Sequence, residues 1–482
     1  MDHRFDKKRK QKRSENPMAN NPVQEGQATP QENKMGTMPV GRLLATMGLP
    51  MALSMLVQAL YNVVDSYFVS QLSEEALTAV SLAFPMQNFM IAVASGTAVG
   101  VNALLSRSLG CKDLPEAQRS AHNGLFLSLL GTALFLLFGL FFSRAFFETQ
   151  TAIAAIVDGG EQYLRIVTVF SFGIFFEIML ERLLQSTGRT IYSMISQMVG
   201  AITNIILDPI MIFGLLGFPM MGVAGAAAAT VIGQILAMLV ALYFNLRKNV
   251  ELPLSLKRMR PNGRTLLTIL GVGLPSILMM SIGSVMTYGM NQILLAFTST
   301  AAAVFGVYFK LQSFIFMPVF GLNNGMVPII AYNYGARKTD RIRKTMILSM
   351  IAASCLMVVG FTLFQTIPHV FMNIFEASEE MLSIGVTALR TISYSFIFAG
   401  VCIIAGSVFQ ALGNGVYSLI VSVARQLVVL LPVAYLFSLT GQLDKVWLAF
   451  PIAEIVSLCI SLALLRRIFW IKIAPLKAQK QA

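Results

Sequence analysis

Residues 48–65 read GLPMALSMLVQALYNVVD, and this stretch decides the fold class of the chain. No formal charge occurs from Leu43 to Val64, so the run is long enough to cross a bilayer as one helix. Such a helix would carry two costly features: a proline near its start, Pro50, and a carboxylate near its end, Asp65. Both need a reason.

Three polar side chains share one face of this helix. Gln58, Tyr61 and Asp65 have the spacing i, i+3, i+7, which places them on the same side of an α-helix. Exposing that polar face to lipid would be unfavourable, so we expect it to face protein or a water-filled cavity. A helix that can bend at a proline and carries a titratable group fits a moving part of a transporter.

Composition places the chain among integral membrane proteins. Of its 482 residues, 56% are hydrophobic and 12% are charged, and the mean hydropathy is +0.69. Soluble domains carry about 25% charged residues. The length suffices for about a dozen spans of roughly 20 residues joined by short loops.

We predict twelve transmembrane helices in two sets of six. The first set lies near 43–66, 77–105, 122–143, 161–184, 190–214 and 222–245, and the second near 266–296, 301–330, 345–368, 385–411, 416–438 and 446–465. Basic residues cluster before span one and after spans two, four, six, eight and twelve, whereas the alternate loops carry acids. The positive-inside rule then places both termini in the cytoplasm. The net charge of +13 follows from this topology, so no nucleic-acid partner is expected.

The two sets repeat each other at a constant offset of 225 residues, without a gap from Gly48 to Tyr192. Matched residues include Gly48-Leu49-Pro50 with Gly273-Leu274-Pro275, Gly96 with Gly321, Gly100 with Gly325, and Gln87 with Gln312. Six spans are an even number, so both repeats have the same orientation and the substrate path is expected between them. The predicted fold is therefore all-α and integral to the membrane, with two parallel six-helix repeats around a central cavity.

Domain boundaries follow from the repeat. We predict a disordered cytoplasmic tail at 1–36, an amino-terminal lobe at 37–246, a cytoplasmic linker at 247–264, a carboxyl-terminal lobe at 265–470 and a cytoplasmic tail at 471–482. The first 34 residues are polar and lack the apolar core of a signal peptide.

Two intramembrane carboxylates, Asp65 and Asp208, are expected to be functional, because no basic residue lies at comparable depth in the first six spans. Asn204 lies one turn before Asp208 and offers a neutral ligand beside an ionisable one. Two carboxylates close together cannot both ionise at low cost, which suits a site that exchanges a proton.

A second acidic pair, Glu177 and Glu181, lies in span four directly before Arg182. Two interpretations stay open for it. The acids are either structural partners of Arg182 or part of the ion path.

Three further residues are candidates for the wall of a substrate cavity. Lys310 interrupts span eight where the repeat has Pro85, and it either lines the cavity, snorkels or pairs with an acid. Met286 and Met290 in span seven could give a soft, adaptable wall, with packing in the core or against lipid as the alternative.

Arg425 in span eleven and Glu454 in span twelve lie at nearly the same predicted depth, counted at 1.5 Å per residue along each helix. An unpaired charge at that depth would be expensive, whereas a paired one is tolerable. We therefore predict an Arg425–Glu454 ion pair that is structural and lies outside the ion path.

Several motifs together resemble the multidrug and toxic compound extrusion (MATE) family, in a bacterial branch. They are Gly-Leu-Pro at 48–50, Gln58-Tyr61-Asp65, the run from Asn204 to Pro209, the run from Gly222 to Thr230, and Tyr332 to Ala336. The resemblance covers roughly residues 37 to 470. It implies two six-helix lobes around a central cavity, and efflux of organic cations or other amphipathic compounds in exchange for protons or sodium.

Site residues carried over from this resemblance lie mainly in the amino-terminal lobe. The family's cation site would map to Asp65, Asn204, Asp208 and Thr230, with Gln58 and Tyr61 nearby, and its bending proline to Pro50. Two departures stand out. Glu181 stands where the family often has Asn, and spans seven and ten lack the acids of some branches, which argues against a sodium site in the carboxyl-terminal lobe.

The sequence therefore predicts a secondary antiporter that exports drug-like cations across the bacterial inner membrane, as a monomer and without a cofactor, with H⁺ or Na⁺ as the transported counter-ion. The alternative is a flippase for a lipid-linked precursor, which would need several cavity Arg or Lys residues for a pyrophosphate. Only Lys310 and Arg425 are available for that role. An enzyme is not expected, because the three histidines do not converge with a nucleophile or a metal-ligand set, and no P-loop is present.

Overall fold

A computed structural model of the chain describes residues 33–254, 261–375 and 377–476. Parts of the predicted tails and of the predicted linker (1–32, 255–260 and 477–482) lie outside the described residues, so those predictions stay untested there. The described chain is built from helices, and no strand occurs in these three ranges.

The amino-terminal half contains nine α-helices. They are α1 (Lys34–Thr37), α2 (Val40–Ser70), α3 (Glu74–Gly110), α4 (Leu114–Phe141), α5 (Ser143–Glu148), α6 (Ala154–Val169), α7 (Phe172–Ser186), α8 (Thr190–Phe213) and α9 (Val223–Lys248).

The carboxyl-terminal half repeats this series at nearly the same offset. Its helices are α10 (Gly263–Leu295), α11 (Ser299–Gly335), α12 (Thr339–Thr366), α13 (Pro368–Asn373), α14 (Glu379–Ser393), α15 (Phe396–Ala411), α16 (Gly415–Val423), α17 (Leu431–Ser438), α18 (Leu443–Trp447) and α19 (Ala449–Ile468). Two π-helical segments, Ala424–Leu430 and Phe469–Ile473, continue α16 and α19. The short α5 and α13 are repeat-related too, so the repeat extends into the loops.

Ten helices in the described ranges are long and apolar enough to cross a membrane, and two bent pairs bring the number to as many as twelve. The predicted all-α fold with twelve spans is confirmed. That both termini face the cytoplasm stays a prediction.

Spans four and ten are bent, where the sequence prediction treated each as a single helix. Helix α6 meets α7 at 44°, and α14 meets α15 at 52°. The repeat-related hydroxyls of Thr168 and Ser393 bond back to the carbonyls of Leu164 and Arg390, 2.6 and 2.9 Å away. Such back-bonding competes with the helix ladder and bends helices.

Glycines make the contact between the two lobes, through α2 on α11 and α3 on α10. A Cβ added at Gly100 would lie 2.2 Å from the carbonyl oxygen of Ile269, and one added at Gly325 would lie 2.7 Å from that of Met47. These two positions are repeat mates of each other. Together with two further repeat-related pairs, Gly96 with Gly321 and Gly48 with Gly273, they form what we call the interlobe seam. The glycines that mark the repeat in the sequence are therefore those that let the backbones of the two lobes touch.

The seam lies toward one end of the bundle, the end at which α2 begins and α3 and α11 finish, which we call the near end. At its edge a Cβ on Gly110 would lie 2.0 Å from the carbonyl oxygen of Tyr332, and one on Gly335 would lie 2.1 Å from that of Arg107. The structure therefore packs the two lobes tightly against each other at the near end.

The predicted disordered tail ends earlier than expected, because Lys34–Thr37 is helical and Met35 is fully buried. Its carbonyls accept hydrogen bonds from the other lobe. Asn333 Nδ2 and Arg341 Nη2 donate to Met35 O at 3.0 and 2.9 Å, and Lys338 Nζ donates to Gly36 O at 2.9 Å. Residues 34–36 are thus ordered by polar contacts that hydropathy alone does not reveal.

Buried apolar side chains form two cores. The smaller core lies inside the amino-terminal lobe and includes Val69, Phe135 and Tyr163. The larger one fills the carboxyl-terminal lobe and extends into the near end of the first lobe. The ionisable side chains described next lie on helices that border the smaller core.

Candidate ion-coupling site

Helices α2, α8 and α9 bring the four predicted cation-site residues together. Asn204 Nδ2 donates to Asp208 Oδ1 and to Thr230 Oγ1, both at 3.2 Å. The Asp65 carboxyl, from α2, lies close to the Asp208 carboxyl. The sequence placed these residues on separate spans, and the fold makes them one cluster.

Small residues explain how α9 comes close enough to contribute Thr230. A Cβ on Gly233 would lie 2.8 Å from the carbonyl oxygen of Gly200 and 3.4 Å from the Cβ of Asn204. Close helix approach through glycines is a common device in membranes.

The cluster is buried and contains oxygens without a partner. Asp208 is 0% exposed, Asn204 3% and Thr230 6%, whereas Asp65 is half-buried. Among the described side chains, Asp65 Oδ1, Asn204 Oδ1 and Asp208 Oδ2 have no hydrogen-bond partner. A buried polar atom left unsatisfied costs about 1–3 kcal/mol. An acid pair of this kind can share a proton, or can hold a cation when both acids are ionised.

Polar aromatic side chains surround the acid pair. Tyr61 lies beside Gln58 and close enough to Asp65 to sense its charge. Tyr163 also lies near Asp65, and its hydroxyl donates to Gln87 Oε1 at 3.4 Å. Sequence reasoning missed Tyr163, because one tyrosine in an apolar span does not indicate which way it faces. The one available signal was a departure from the repeat, because Ala388 stands at the position that corresponds to Tyr163.

In the second acidic pair, Glu181 does not have the adjacent arginine as its partner. Glu181 is 3% exposed, and Gln197 Nε2 donates to its Oε2 at 2.5 Å. Arg182 does not pair with Glu181; its Nη1 donates instead to Gln185 Oε1 and Asn324 Oδ1. The structural pairing of Glu181 with the adjacent arginine is therefore absent from this conformation, while its role in the ion path stays a prediction.

The two predicted cavity methionines of the carboxyl-terminal lobe are less accessible than expected, whereas the predicted cavity lysine is exposed. Met290 is 0% exposed and Met286 9%, so this conformation places both in the packed core and not on an open wall. Lys310 is exposed, and its Nζ lies 6.0 Å from the centre of the Phe375 ring. No carboxylate within the described ranges pairs with Lys310.

Pro50 lies inside α2, between the seam residue Gly48 and Met51, whose carbonyl faces Gly321. The proline is thus at the point where α2 is held by the other lobe. Asp65 lies about four turns further along the same helix. One element therefore carries both the predicted hinge and one acid of the pair.

The structure brings Arg425 and Glu454 together, with Arg425 Nη1 3.4 Å from Glu454 Oε2. The contact agrees with the expected ion pair, whereas its purely structural role stays a prediction. Arg425 lies in a π-helical segment just before Pro432. The missing N–H of that proline frees a carbonyl in the preceding turn, which favours the wider π-turn.

The repeat breaks down at the acid cluster. At the 225-residue offset, Asp65 corresponds to Met290, Asn204 to Val429 and Asp208 to Val433. The described residues contain no group of three or more His, Cys, Asp or Glu side chains that could hold a metal ion. The cluster of Asp65, Asn204 and Asp208 therefore belongs to the amino-terminal lobe alone.

Comparison with known families supports the repeat and the fold. A family model described as MatE matches residues 50–210 and again residues 275–436. The two matches begin 225 residues apart, which is the offset of the internal repeat. Together they cover more than half of the chain.

Curated relatives are similar over most of their length. The chain is 27% identical to the multidrug export protein MepA of Staphylococcus haemolyticus over 425 residues, which covers 87% of this chain and 93% of that protein. It is 28% identical to an FAD transporter of Shewanella oneidensis over 439 residues, covering 86% and 92%.

Solved structures show the same fold. A MATE protein crystallised with MaL6 superposes with a TM-score of 0.87 and 26% identity, over 93% of this chain and 100% of the other. An outward-facing multidrug resistance MATE transporter of the MOP superfamily gives 0.87 at 25% identity, over 93% and 99%. The chain therefore belongs to the MATE family of multidrug and toxic compound extrusion transporters, and it is a multi-pass protein of the plasma membrane.

Proposed function

We propose that this protein is a secondary antiporter that exports organic cations or drug-like amphipathic compounds in exchange for H⁺ or Na⁺. One observation carries the proposal. Asp65 and Asp208, from two different helices, lie close together in a largely buried cluster that also holds Asn204 and Thr230. A buried acid pair is costly to maintain and is expected at a functional site.

The pair offers two states that differ by one counter-ion. With a proton bound, the two carboxyls can share it as a hydrogen bond. With both ionised, the free oxygens of Asp65, Asn204 and Asp208 offer a cation the oxygen ligands that hard ions prefer. Gain or loss of the counter-ion therefore changes the force between α2 and α8.

Helix α2 is the element that would transmit this change. It carries Asp65, one member of the acid pair, and it carries Pro50 at the seam. A helix with an internal proline lacks one ladder hydrogen bond and bends at little added energy. The bend at Pro50 then alters the space between the lobes as the charge of the pair changes.

The charge of the amino-terminal lobe favours cationic cargo. Asp65, Glu177, Glu181 and Asp208 lie in its spans, and the half-buried Arg182 contacts Asn324 of the other lobe. Multidrug export by MepA is in line with such cargo. The flippase alternative gains no support, because Arg425 is held by Glu454 and Lys310 lies beside Phe375.

Transport into proteoliposomes tests the proposal. The purified protein would be assayed with a fluorescent organic cation while proton and sodium gradients are imposed separately, and FAD would be the alternative cargo. We expect one gradient to drive accumulation of the cation, and Asp65→Asn to abolish it. Uptake that follows neither gradient would overturn the antiport proposal. Gradient-driven transport of FAD with no transport of the cation would overturn the proposed substrate class.

A further inference from the structure

One half-buried cation of the amino-terminal lobe forms a hydrogen bond with the other lobe. Arg182, near the end of α7, places Nη1 2.8 Å from Oδ1 of Asn324 on α11 and 2.9 Å from Oε1 of Gln185. The neighbouring Glu181 belongs to the same lobe and is held there by Gln197. Arg182 is therefore a charged link between the lobes.

Asn324 lies directly before Gly325 and two residues after Leu322, whose side chain would meet a Cβ on Gly48. The hydrogen bond thus sits at the interlobe seam, on the side of α11 that faces the first lobe. Other polar contacts between the halves lie at the ends of helices, such as Thr265 Oγ1 in the first turn of α10 to Glu116 Oε1 in the first turn of α4 at 3.0 Å. Any motion that opens the near end must break the Arg182–Asn324 contact.

A second acceptor for Arg182 is already present. Glu181 Oε1 is buried and has no hydrogen-bond partner among the described residues, and Glu181 directly precedes Arg182 on α7. Glu177, one turn earlier, adds a further acid that acts on Glu181. When Asn324 moves away, the guanidinium has an anionic partner within its own lobe.

We propose that Arg182 is a gating residue of the transport cycle. Its hydrogen bond to Asn324 holds the lobes together at the near end, and its transfer to the free oxygen of Glu181 accompanies opening there. A hydrogen bond that involves a charged group is among the stronger ones in a protein. Exchanging one acceptor for the other therefore changes the free-energy difference between the closed and the open near end. The inference rests on alternating access in the proposed antiport, but not on the identity of the ion or the substrate.

Changing the acceptor on α11 tests the proposal in both directions. Asn324→Asp turns a neutral acceptor into a carboxylate and should favour the closed near end. Asn324→Ala removes the acceptor and should favour the open one by about tenfold, the usual size of a lost hydrogen bond to a charged group. The control is Asn323→Ala, which removes the adjacent amide that does not contact Arg182.

The readout is the distance between two spin labels, measured by pulsed electron resonance in nanodiscs. Arg119 on α4 and Lys344 on α12 are exposed and repeat-related, so labels there would report separation of the lobes at the near end after the four cysteines are replaced. We expect a longer distance for Asn324→Ala, no lengthening for Asn324→Asp, and wild-type behaviour for the control. Shifts of the same sign in both Asn324 variants would show a packing effect and overturn the proposal.

Arg182→Lys gives an independent check should Asn324→Asp not fold. Lysine keeps the charge but loses the planar fork, so the open population should fall between those of the wild type and Asn324→Ala. A population equal to that of Asn324→Ala would contradict a role for the charge. The label distances are measured without substrate or gradient. If the distances shift as expected but the protein does not transport the cation, only the proposed function is refuted.

Discussion

Single residues of the acid cluster could be predicted well from the sequence. Asp65, Asn204 and Asp208 are costly in an apolar span, and that cost is itself the signal. Tyr163 and the Arg182–Asn324 contact could not be found in this way. A tyrosine or an asparagine is tolerated in many positions of a helix, and which neighbour it meets depends on how the lobes pack.

Replacing Asp65 by asparagine tests the acid pair directly. Asp65→Asn keeps the shape and much of the hydrogen bonding but cannot release a proton, so coupled export should be lost while thermal stability is retained. Asp208→Asn should weaken ion binding in the same way, because Asn204 alone is a poor cation ligand. Accumulation of substrate against its gradient by Asp65→Asn would remove this residue from the coupling step.

The Arg425–Glu454 pair should matter for stability and not for coupling. Glu454 is almost fully buried whereas Arg425 is partly exposed, so removing one partner should cost toward the lower end of roughly 3–5 kcal/mol. Replacing both by Met and Gln should recover much of that loss. Thermal unfolding of both single variants and the double variant gives the coupling energy. A double variant as unstable as the worse single one, or one with altered ion dependence, would reopen Arg425 as a cavity residue.

At the scale of helices, the spans and their repeat were readable from hydropathy and from the constant offset of glycines and prolines. The bends in spans four and ten were not. They depend on which way the hydroxyls of Thr168 and Ser393 turn, and a hydroxyl has the same sequence signature in a straight helix. The short helix at Lys34–Thr37 was missed because its order comes from the side chains of Asn333, Lys338 and Arg341.

Pro50→Ala should slow turnover more than it weakens substrate binding. Alanine restores the ladder hydrogen bond and stiffens α2 between the seam and Asp65. Turnover in proteoliposomes and equilibrium binding in detergent separate the two effects. Wild-type turnover in this variant would show that the bend is incidental.

Gly325→Ala should push α2 away from α11 and favour opening at the near end. The added Cβ would meet the backbone of Met47 and Gly48, which cannot give way as a side chain can. Gly306→Ala on the same helix is the control, because nothing lies within 4 Å of a Cβ there. Label distances between Arg119 and Lys344 that are equal in both variants would contradict the seam as the closing surface.

At the scale of the whole molecule, the two lobes share a fold but not a chemistry. The seam glycines obey the repeat, whereas the acids at Asp65 and Asp208 have the apolar mates Met290 and Val433. A symmetric frame supplies the two-sided closure that alternating access needs. In the proposed antiport, this asymmetry places ion binding in one lobe, so that a counter-ion acts on one half of the frame.

The central claim is that the acid pair couples a counter-ion to export, and substrate-driven ion flux tests it most directly. Proteoliposomes without any imposed gradient would hold a proton-sensitive or sodium-sensitive dye, and an organic cation would be added outside. We expect the counter-ion to move opposite to the substrate in the wild type, and not to move in Asp65→Asn or Asp208→Asn. Substrate entry without ion movement in the wild type, or equal ion movement in both Asn variants, would contradict it.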